Sequence, residues 1–413
     1  MNIYYPIIKW SLTLIFLCYL TGSASGVQQG EFRFNRNKGS VIIPIQVRNN
    51  LAVVPLFIND HGPFHFILDT GVNTTILTEP RIAHMTALNI EDEILIYGLG
   101  GEGIVEAALA SNVKINMRGI TGTDLNMVVI PEDILSFSES FGFPVYGIIG
   151  YDFLQHFPVE ISYASETMRV YNNRDYRIYR RSRVLPFKLV HGKPYIESTI
   201  IGEHGDTLTT NLLLDLGASH PVYLNNDYIN MSDHTIESFL GKGIGGNLMG
   251  RMGFVQKLKL GDLIIDRPIV SYPDREFLEF YGTEIEWEGI IGGGIIHRFN
   301  VILDYPSEKV IFRPASKYND PFHTNLSGLE VVARGLRMRK FVIHYVRPGS
   351  IAYESGIRAG DQIITLNNKT HVQFTMEDVM STLSEREGRR ISMSLLRGDE
   401  LIRVNFRLRE DLY

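Results

Sequence analysis

Along most of the chain, apolar residues come in short runs broken by Gly, Asn, Asp and Pro, and the 3.6-residue period of an amphipathic helix is scarce. This pattern predicts a mainly β protein. It also recurs. Val41-Ile-Ile-Pro44-Ile is echoed by Val184-Leu-Pro186-Phe, and the two prolines are 142 positions apart. Each is followed by an apolar strand, a polar turn and a second strand that ends in an aspartate. The turns, Asn59-Asp-His-Gly62 and Gly202-Glu-His-Gly205, both carry hairpin chemistry.

Three further signatures recur in the same order. Phe66-Ile-Leu-Asp69-Thr70-Gly71 is matched by Leu212-Leu-Leu-Asp215-Leu216-Gly217. A glycine-rich turn comes after each, with Gly98, Gly100 and Gly101 in the first half and Gly243, Gly245 and Gly246 in the second. Then comes Gly-Ile-Ile-Gly, at Gly147 to Gly150 and at Gly289 to Gly292. Asp69 to Gly98 is 29 positions and Asp215 to Gly243 is 28; the next intervals are 49 and 46. Phe157 and Phe299, and Tyr163 and Tyr305, close the halves at an offset of 142.

An aspartate at the end of an apolar strand is costly unless it is paired or useful. Gly71 and Gly217 let the backbone turn so that each carboxylate projects from its strand end. Two carboxyls in contact cannot both ionise easily and share a proton. One can then take a proton from a water while the other gives one to a carbonyl oxygen, which suffices to hydrolyse an amide without a metal or cofactor. With these residues the chain resembles the aspartic peptidases. The resemblance covers about residues 41–315 and implies a fused, single-chain form of a retropepsin-like pair, with Asp69 and Asp215 catalytic and the glycine-rich turns as two flaps over an extended polypeptide substrate. It implies supporting roles for Thr70, Gly71, Leu216 and Gly217. Leu216 departs from the family, which carries Thr or Ser there; that hydroxyl bonds across to the opposite aspartate loop, and Leu216 cannot do so.

Other chemistries fit less well. Gly98 to Gly103 and Gly241 to Gly246 both spell G-x-G-x-x-G, but the residues after each motif read as a returning strand rather than the helix a dinucleotide site needs. There is no H-E-x-x-H and no G-x-S-x-G, so no metal or cofactor is called for. A glycosidase pair needs carboxyls roughly 5 Å or more apart, wider than a contact dyad. His156 and His297 do not align in the repeat and read as surface residues.

The pattern changes from Asp320. Phe341 to Val346 reads as a strand, Glu377 to Ser384 as a helix, and Ile391 to Leu396 and Leu401 to Leu408 as closing strands. With Gly328-Leu-Glu-Val331, Pro348-Gly-Ser-Ile-Ala352, Ser355-Gly-Ile357 and Gly360-Asp-Gln-Ile-Ile364, this region resembles a PDZ domain of bacterial exported proteases. The resemblance implies that Gly328, Leu329, Glu330 and Val331 receive a peptide C-terminus, which adds as a strand to a sheet edge. The expected architecture is all-β: a bilobal aspartic-protease fold of two barrel-like lobes, at 27–173 and 174–318, followed by a small PDZ sandwich or barrel with two helices at 319–413. The basic stretch Arg174 to Arg183 is read as a solvated strand connecting the lobes.

Residues 1–26 stand apart. Lys9 precedes an apolar run from Trp10 to Leu20, and small residues come next, the layout of a secretory signal peptide cleaved near Ala24-Ser25. The only cysteine, Cys18, lies within it, so the mature chain carries no thiol chemistry. The length of 413 residues allows two or three domains, and a net charge of −6 argues against nucleic acid or an anionic membrane as partner. The expectation is a monomeric endopeptidase in the periplasm or envelope of a Gram-negative bacterium; the competing reading is an inactive peptide binder in which Leu216 marks a dead lobe pair.

Overall fold

The computed structural model describes residues 30–412 apart from 98–103, 131–133, 173–174, 226–228, 244–245, 276–287 and 336. The expected signal segment, and the turn containing Gly98, Gly100 and Gly101, lie outside the described residues, as does Gly245. Strand makes up 52% and helix 10%, the all-β proportion that the short apolar runs predict.

Each half begins with a tight hairpin. In the first, Gln46–Arg48 turns through Asn49 and Asn50 into Leu51–Ile58; in the second, Lys188–Val190 turns through His191 and Gly192 into Lys193–Ile201. All four turn residues have positive φ, the two-residue turn whose twist matches that of its strands. A second hairpin then leads into His61–Leu68 or Thr207–Leu214, the strands that carry the aspartates at their ends. Short strands Gly147–Ile149 and Gly289–Ile291 run parallel beside them and antiparallel to Thr75–Leu77 and Val222–Leu224 respectively. These central strands are fully apolar and buried on both faces, and so show no alternation.

A six-stranded sheet joins the lobes, in the order Arg183–Pro186, Lys309–Pro314, Phe299–Asp304, Pro158–Ser162, Thr167–Tyr171, Ser40–Pro44. At its middle, Pro158–Ser162 pairs antiparallel with Phe299–Asp304, and Glu160 lies opposite Ile302. The difference between those positions is 142, the offset of the repeat, so a pseudo-twofold axis passes between them. The flanking pairs obey it too: Pro44 opposite Thr167, and Pro186 opposite Lys309. One large apolar cluster runs through both lobes and takes in Phe322 and Leu412 from beyond them, with smaller clusters beside it.

The connecting stretch is irregular over 175–182 and becomes a strand only at Arg183. Tyr176 pins it down by donating to the Asp304 carboxylate at 2.6 Å, and Arg177 and Arg313 flank the Tyr179 ring at 4.9 and 4.6 Å. The expected strand gives way there because a buried side chain, not a ladder, holds the backbone.

The C-terminal sheet runs Leu329–Arg334, Lys340–Val346, Gln362–Leu366, Arg390–Arg397, Glu400–Arg407 around its own core. Helix Met376–Leu383 covers it, started by a reciprocal cap between Thr375 and Asp378. This domain sits against both lobes. Glu139 pairs with Arg334 at 3.1 Å and Arg48 with Glu377 at 3.3 Å, and Phe239 of lobe 2 meets the His344 ring edge-on at 5.5 Å.

Gly147 shows how tightly the central strands pack. A Cβ there would lie 2.1 Å from the Ile76 carbonyl oxygen and 2.4 Å from the Phe66 ring, whereas one at Gly39 would meet nothing within 4 Å. Gly147→Ala is expected to destabilise the chain by about 1–3 kcal/mol and Gly39→Ala by less than about 0.5 kcal/mol; thermal unfolding of the two variants checks this, and equal melting temperatures would contradict it.

Candidate active site

Both aspartates are set by the same local wiring. The Asp69 amide donates to the Ile149 carbonyl at 2.9 Å, and the Asp215 amide to that of Ile291 at 2.9 Å. Beyond each aspartate the chain folds back: Gly71 N–H donates to Asp69 Oδ1 at 2.6 Å, and Gly217 N–H to Asp215 Oδ1 at 2.7 Å. The central strand closes each loop through Tyr151 N–H to the Val72 carbonyl at 2.9 Å and Gly293 N–H to that of Ala218 at 2.6 Å.

The two loops meet at the pseudo-twofold axis, where each carboxyl acts on the titration of the other. Asp69 is 7% exposed and Asp215 3%. The Asp69 carboxylate lies directly over Gly217, where a Cβ would come within 2.2 Å of Oδ2. Glycine is required there for close approach. Burial pushes both carboxyls above the ordinary range, and the negative charge of Asp69 pushes Asp215 further. The pair therefore retains a shared proton to higher pH than an isolated carboxyl.

The lobes are locked by one hydroxyl rather than two. Thr70 Oγ1 donates to the Leu214 carbonyl at 2.5 Å and accepts from the Leu216 amide at 3.0 Å, both across the axis. Leu216, in the reciprocal position, is fully buried in the shared core. The departure seen in the sequence thus removes one half of the lock and fills it with apolar packing, while Thr70 makes two bonds by itself.

Several neighbours escaped the sequence reading. The first hairpin tip of each half reaches the opposite loop: Asn50 Nδ2 donates to the Ser219 carbonyl at 3.0 Å, and Gly192 packs on Asn73 and the Tyr151 ring. Asp152, behind the Asp69 loop, accepts from the Thr75 amide and hydroxyl at 2.8 and 2.5 Å. Lys193 is 2% exposed and its charge reaches both aspartates. The repeat held a signal for it, because Lys193 stands at the position of apolar Leu51. His156 and His297 are half-buried rather than at the surface; burial lowers the first and pushes the second down to about 4, and His297 Nδ1 lies 2.8 Å from the Gly293 carbonyl oxygen. The helix turns that carry them pack against the core, which overrides their polar character.

Over lobe 2, Ile236–Gly243 and Gly246–Phe254 form an antiparallel hairpin with Gly243 opposite Gly246. A strand, not a helix, comes after the glycines, as a flap requires.

In the C-terminal domain, Leu329–Arg334 is an edge strand. Leu329 and Val331 point into the core, and Glu330 is half-buried, pushed up to about 7 by burial with Arg347 acting against this. Two amides of the Gly328–Val331 loop are engaged within the loop itself: Gly328 N–H donates to the Asn325 carbonyl at 3.1 Å and Leu329 N–H to Ser327 Oγ at 3.2 Å. At the strand's far end, a Cβ on Gly142 of lobe 1 would come 2.4 Å from the Met376 Cβ and 3.7 Å from that of Ala333. Lobe 1 thus packs against the end of this strand and the start of helix Met376–Leu383.

Compared with known families, residues 54–153 match the model described as aspartyl protease, and residues 342–397 match that of the PDZ domain. No curated protein matches the chain. The chain therefore carries an aspartyl-protease-like domain and a C-terminal PDZ domain in an all-β fold. The first match holds Asp69, Thr70 and Gly71 and stops before lobe 2.

Thr70→Val keeps the side chain's shape and deletes both cross-lobe bonds, leaving a buried amide and carbonyl unpaired. A loss of about 2–6 kcal/mol is expected, at about 1–3 kcal/mol for each group; denaturant unfolding measures it, and a loss under about 1 kcal/mol would show that the Thr70 hydroxyl does not lock the lobes.

Proposed function

We propose that the chain is an exported aspartic endopeptidase that hydrolyses peptide bonds with a water held between Asp69 and Asp215. The observation that carries this reading is the contact of two buried carboxyls, presented by identically wired loops across a pseudo-twofold axis. In the one-proton form, the ionised carboxylate takes a proton from the water as its oxygen attacks the scissile carbonyl. The protonated partner donates to the carbonyl oxygen, giving a gem-diol. The carboxyl that took the water proton then passes it to the scissile nitrogen while the other carboxylate takes a proton from a gem-diol hydroxyl. The C–N bond breaks to release acid and amine with the one-proton pair restored. The Gly71 and Gly217 amides aim the carboxylates, and Thr70 fixes the distance between loops. The hairpin that ends at Gly243 and Gly246 covers an extended polypeptide and excludes water.

The PDZ domain serves peptide recognition or regulation. Its edge strand can accept a peptide as an added strand, and with Gly142 seated at the strand's end, a peptide added there bears on lobe 1. Export rests on the Lys9–Gly26 pattern, and the destination we propose is the periplasm or envelope of a Gram-negative bacterium. Among the described residues no helix is long and apolar enough to cross a membrane. Leu216 favours a second reading, a peptide binder without turnover, because it halves the lock that holds the loops.

Incubating the mature chain with denatured mixed protein separates the two. Cleavage is expected, and Asp69→Asn or Asp215→Asn should each lower it by about 10²–10⁴-fold; no cleavage by the unmodified chain from acid to neutral pH would leave the binder.

A stability measurement adds to this. Both carboxyls hold their protons to higher pH folded than unfolded. Their contribution to stability is therefore full below the unfolded carboxyl value of about 4 and is lost as pH rises through the folded pair's titration. The melting temperature of Asp215→Asn should thus fall less than that of the unmodified chain between about pH 4 and pH 7, and identical slopes would refute the shared proton.

A further inference from the structure

We propose that Lys193 is the counter-charge of the aspartate pair, a positioning residue whose ammonium holds the two carboxyls in their one-proton, singly negative form. This deepens the peptidase reading, and its activity arm rests on that reading.

The placement comes from strand register. Lys193–Ile201 pairs with Thr207–Leu214, with Tyr195 opposite Leu213. One further step of two residues along this antiparallel ladder sets Lys193 across from Asp215, on the same face, where side chains of neighbouring strands meet. Lobe 1 repeats the geometry: Val53 lies opposite Ile67, and the same step sets Leu51 across from Asp69. Leu51 belongs to a small apolar cluster with Val53, Ile67, Phe141 and Val145. The cation is therefore present on one side of the axis only.

Burial gives the charge its weight. Lys193 is 2% exposed. The hairpin tip before it is pressed onto the Asp69 loop, with Gly192 against Asn73 and Tyr151. The stem thus runs inward between the lobes. A buried ammonium is costly without an anion nearby, and its charge acts on both Asp69 and Asp215 in the direction that favours ionisation. Two carboxyls sharing one proton carry one negative charge, so the cluster with Lys193 is neutral. Without the cation, the buried pair would tend to keep both protons, and a doubly protonated pair has no base to activate water.

The other titratable groups around the pair do not supply this charge. The phenols of Tyr305 and Tyr223 face it, and burial raises both, so they remain neutral. His220 lies just beyond the Asp215 loop, is pushed down to about 4 by burial and pairs with Ser271 Oγ at 2.6 Å, so it is uncharged near neutrality. Asp152 is an acid held by Thr75.

The test uses the mature chain with Lys193→Met, and with Lys193→Leu, the residue of lobe 1, as the second variant. The acidic limb of kcat/KM for peptide cleavage is expected to move up by about one pH unit, the effect of removing an opposite charge that favours ionisation. The second readout needs no turnover. Relative to the unmodified chain, the variants should gain in melting temperature as pH falls through the pair's titration, where protonation removes the negative charge that the ammonium answers. They should lose that advantage as pH rises toward 7. In an Asp69→Asn, Asp215→Asn background the advantage should persist at every pH. A difference in melting temperature that is constant with pH in the chain bearing both aspartates, or an unmoved acidic limb, would overturn the proposal. A pH-dependent difference in a chain that cleaves nothing would uphold Lys193 as the counter-charge and reject the peptidase reading.

Discussion

The structure turns on two carboxyl groups taken out of water and placed against each other. Each ion so buried costs several kcal/mol even after relaxation, and two adjacent negative charges add to that. Sharing a proton removes one of them. What remains is an orientation problem, and the backbone solves it. Asp69 and Asp215 each donate their N–H to a carbonyl of a central strand and accept at the carboxylate from the N–H of the glycine two positions on. Gly217 has no Cβ because the Asp69 carboxylate occupies that space.

The frame that brings the loops together is itself a consequence of duplication. Glu160 faces its own repeat-mate Ile302 in the interlobe sheet, and the outer strands pair at the same offset. A register that is its own image under the repeat can be reached only if both halves present the same strand at the same height. The antiparallel ladder then sets the distance between the aspartate loops, and the Thr70 hydroxyl ties it off with bonds to Leu214 and Leu216.

Much of this was legible from residue order because the repeat supplies an internal comparison. The aspartates, the glycine-rich turns and the buried Gly-Ile-Ile strands recur with near-equal spacing, and apolar runs ending in a charge mark strand ends. What stayed hidden depends on three-dimensional adjacency. That Thr70 would make both cross-lobe bonds depends on the approach of Leu214, 144 positions away. The seat of Gly142 on Met376 joins domains whose sequences carry no mark of each other. His156 and His297 read as surface residues because polarity is a weak guide on a helical turn pressed against a core. The connecting stretch reads as a strand by composition, yet Tyr176 anchors it through Asp304. Lys193 was visible only as a charged residue at an apolar position of the repeat, and its meaning needed the ladder that ends at Tyr195 and Leu213, one step of two residues short of it and Asp215.

The two halves differ at two positions beside the carboxyl pair, and the differences are complementary. Lobe 1 contributes the locking hydroxyl of Thr70, and lobe 2 answers with buried Leu216. Lobe 2 contributes the ammonium of Lys193, and lobe 1 answers with Leu51. A symmetric dimer has no access to this division, since every residue of a twofold interface occurs twice. A lysine at this position would then set two positive charges against a pair carrying one negative charge, and a leucine would set none. Fusion of the halves into one chain removes that constraint, and a single cation can balance a single shared-proton anion. On this argument the asymmetry at positions 193 and 216 stems from the odd charge of the pair: a site with one negative charge on a twofold axis is neutralised only by breaking the symmetry that built it.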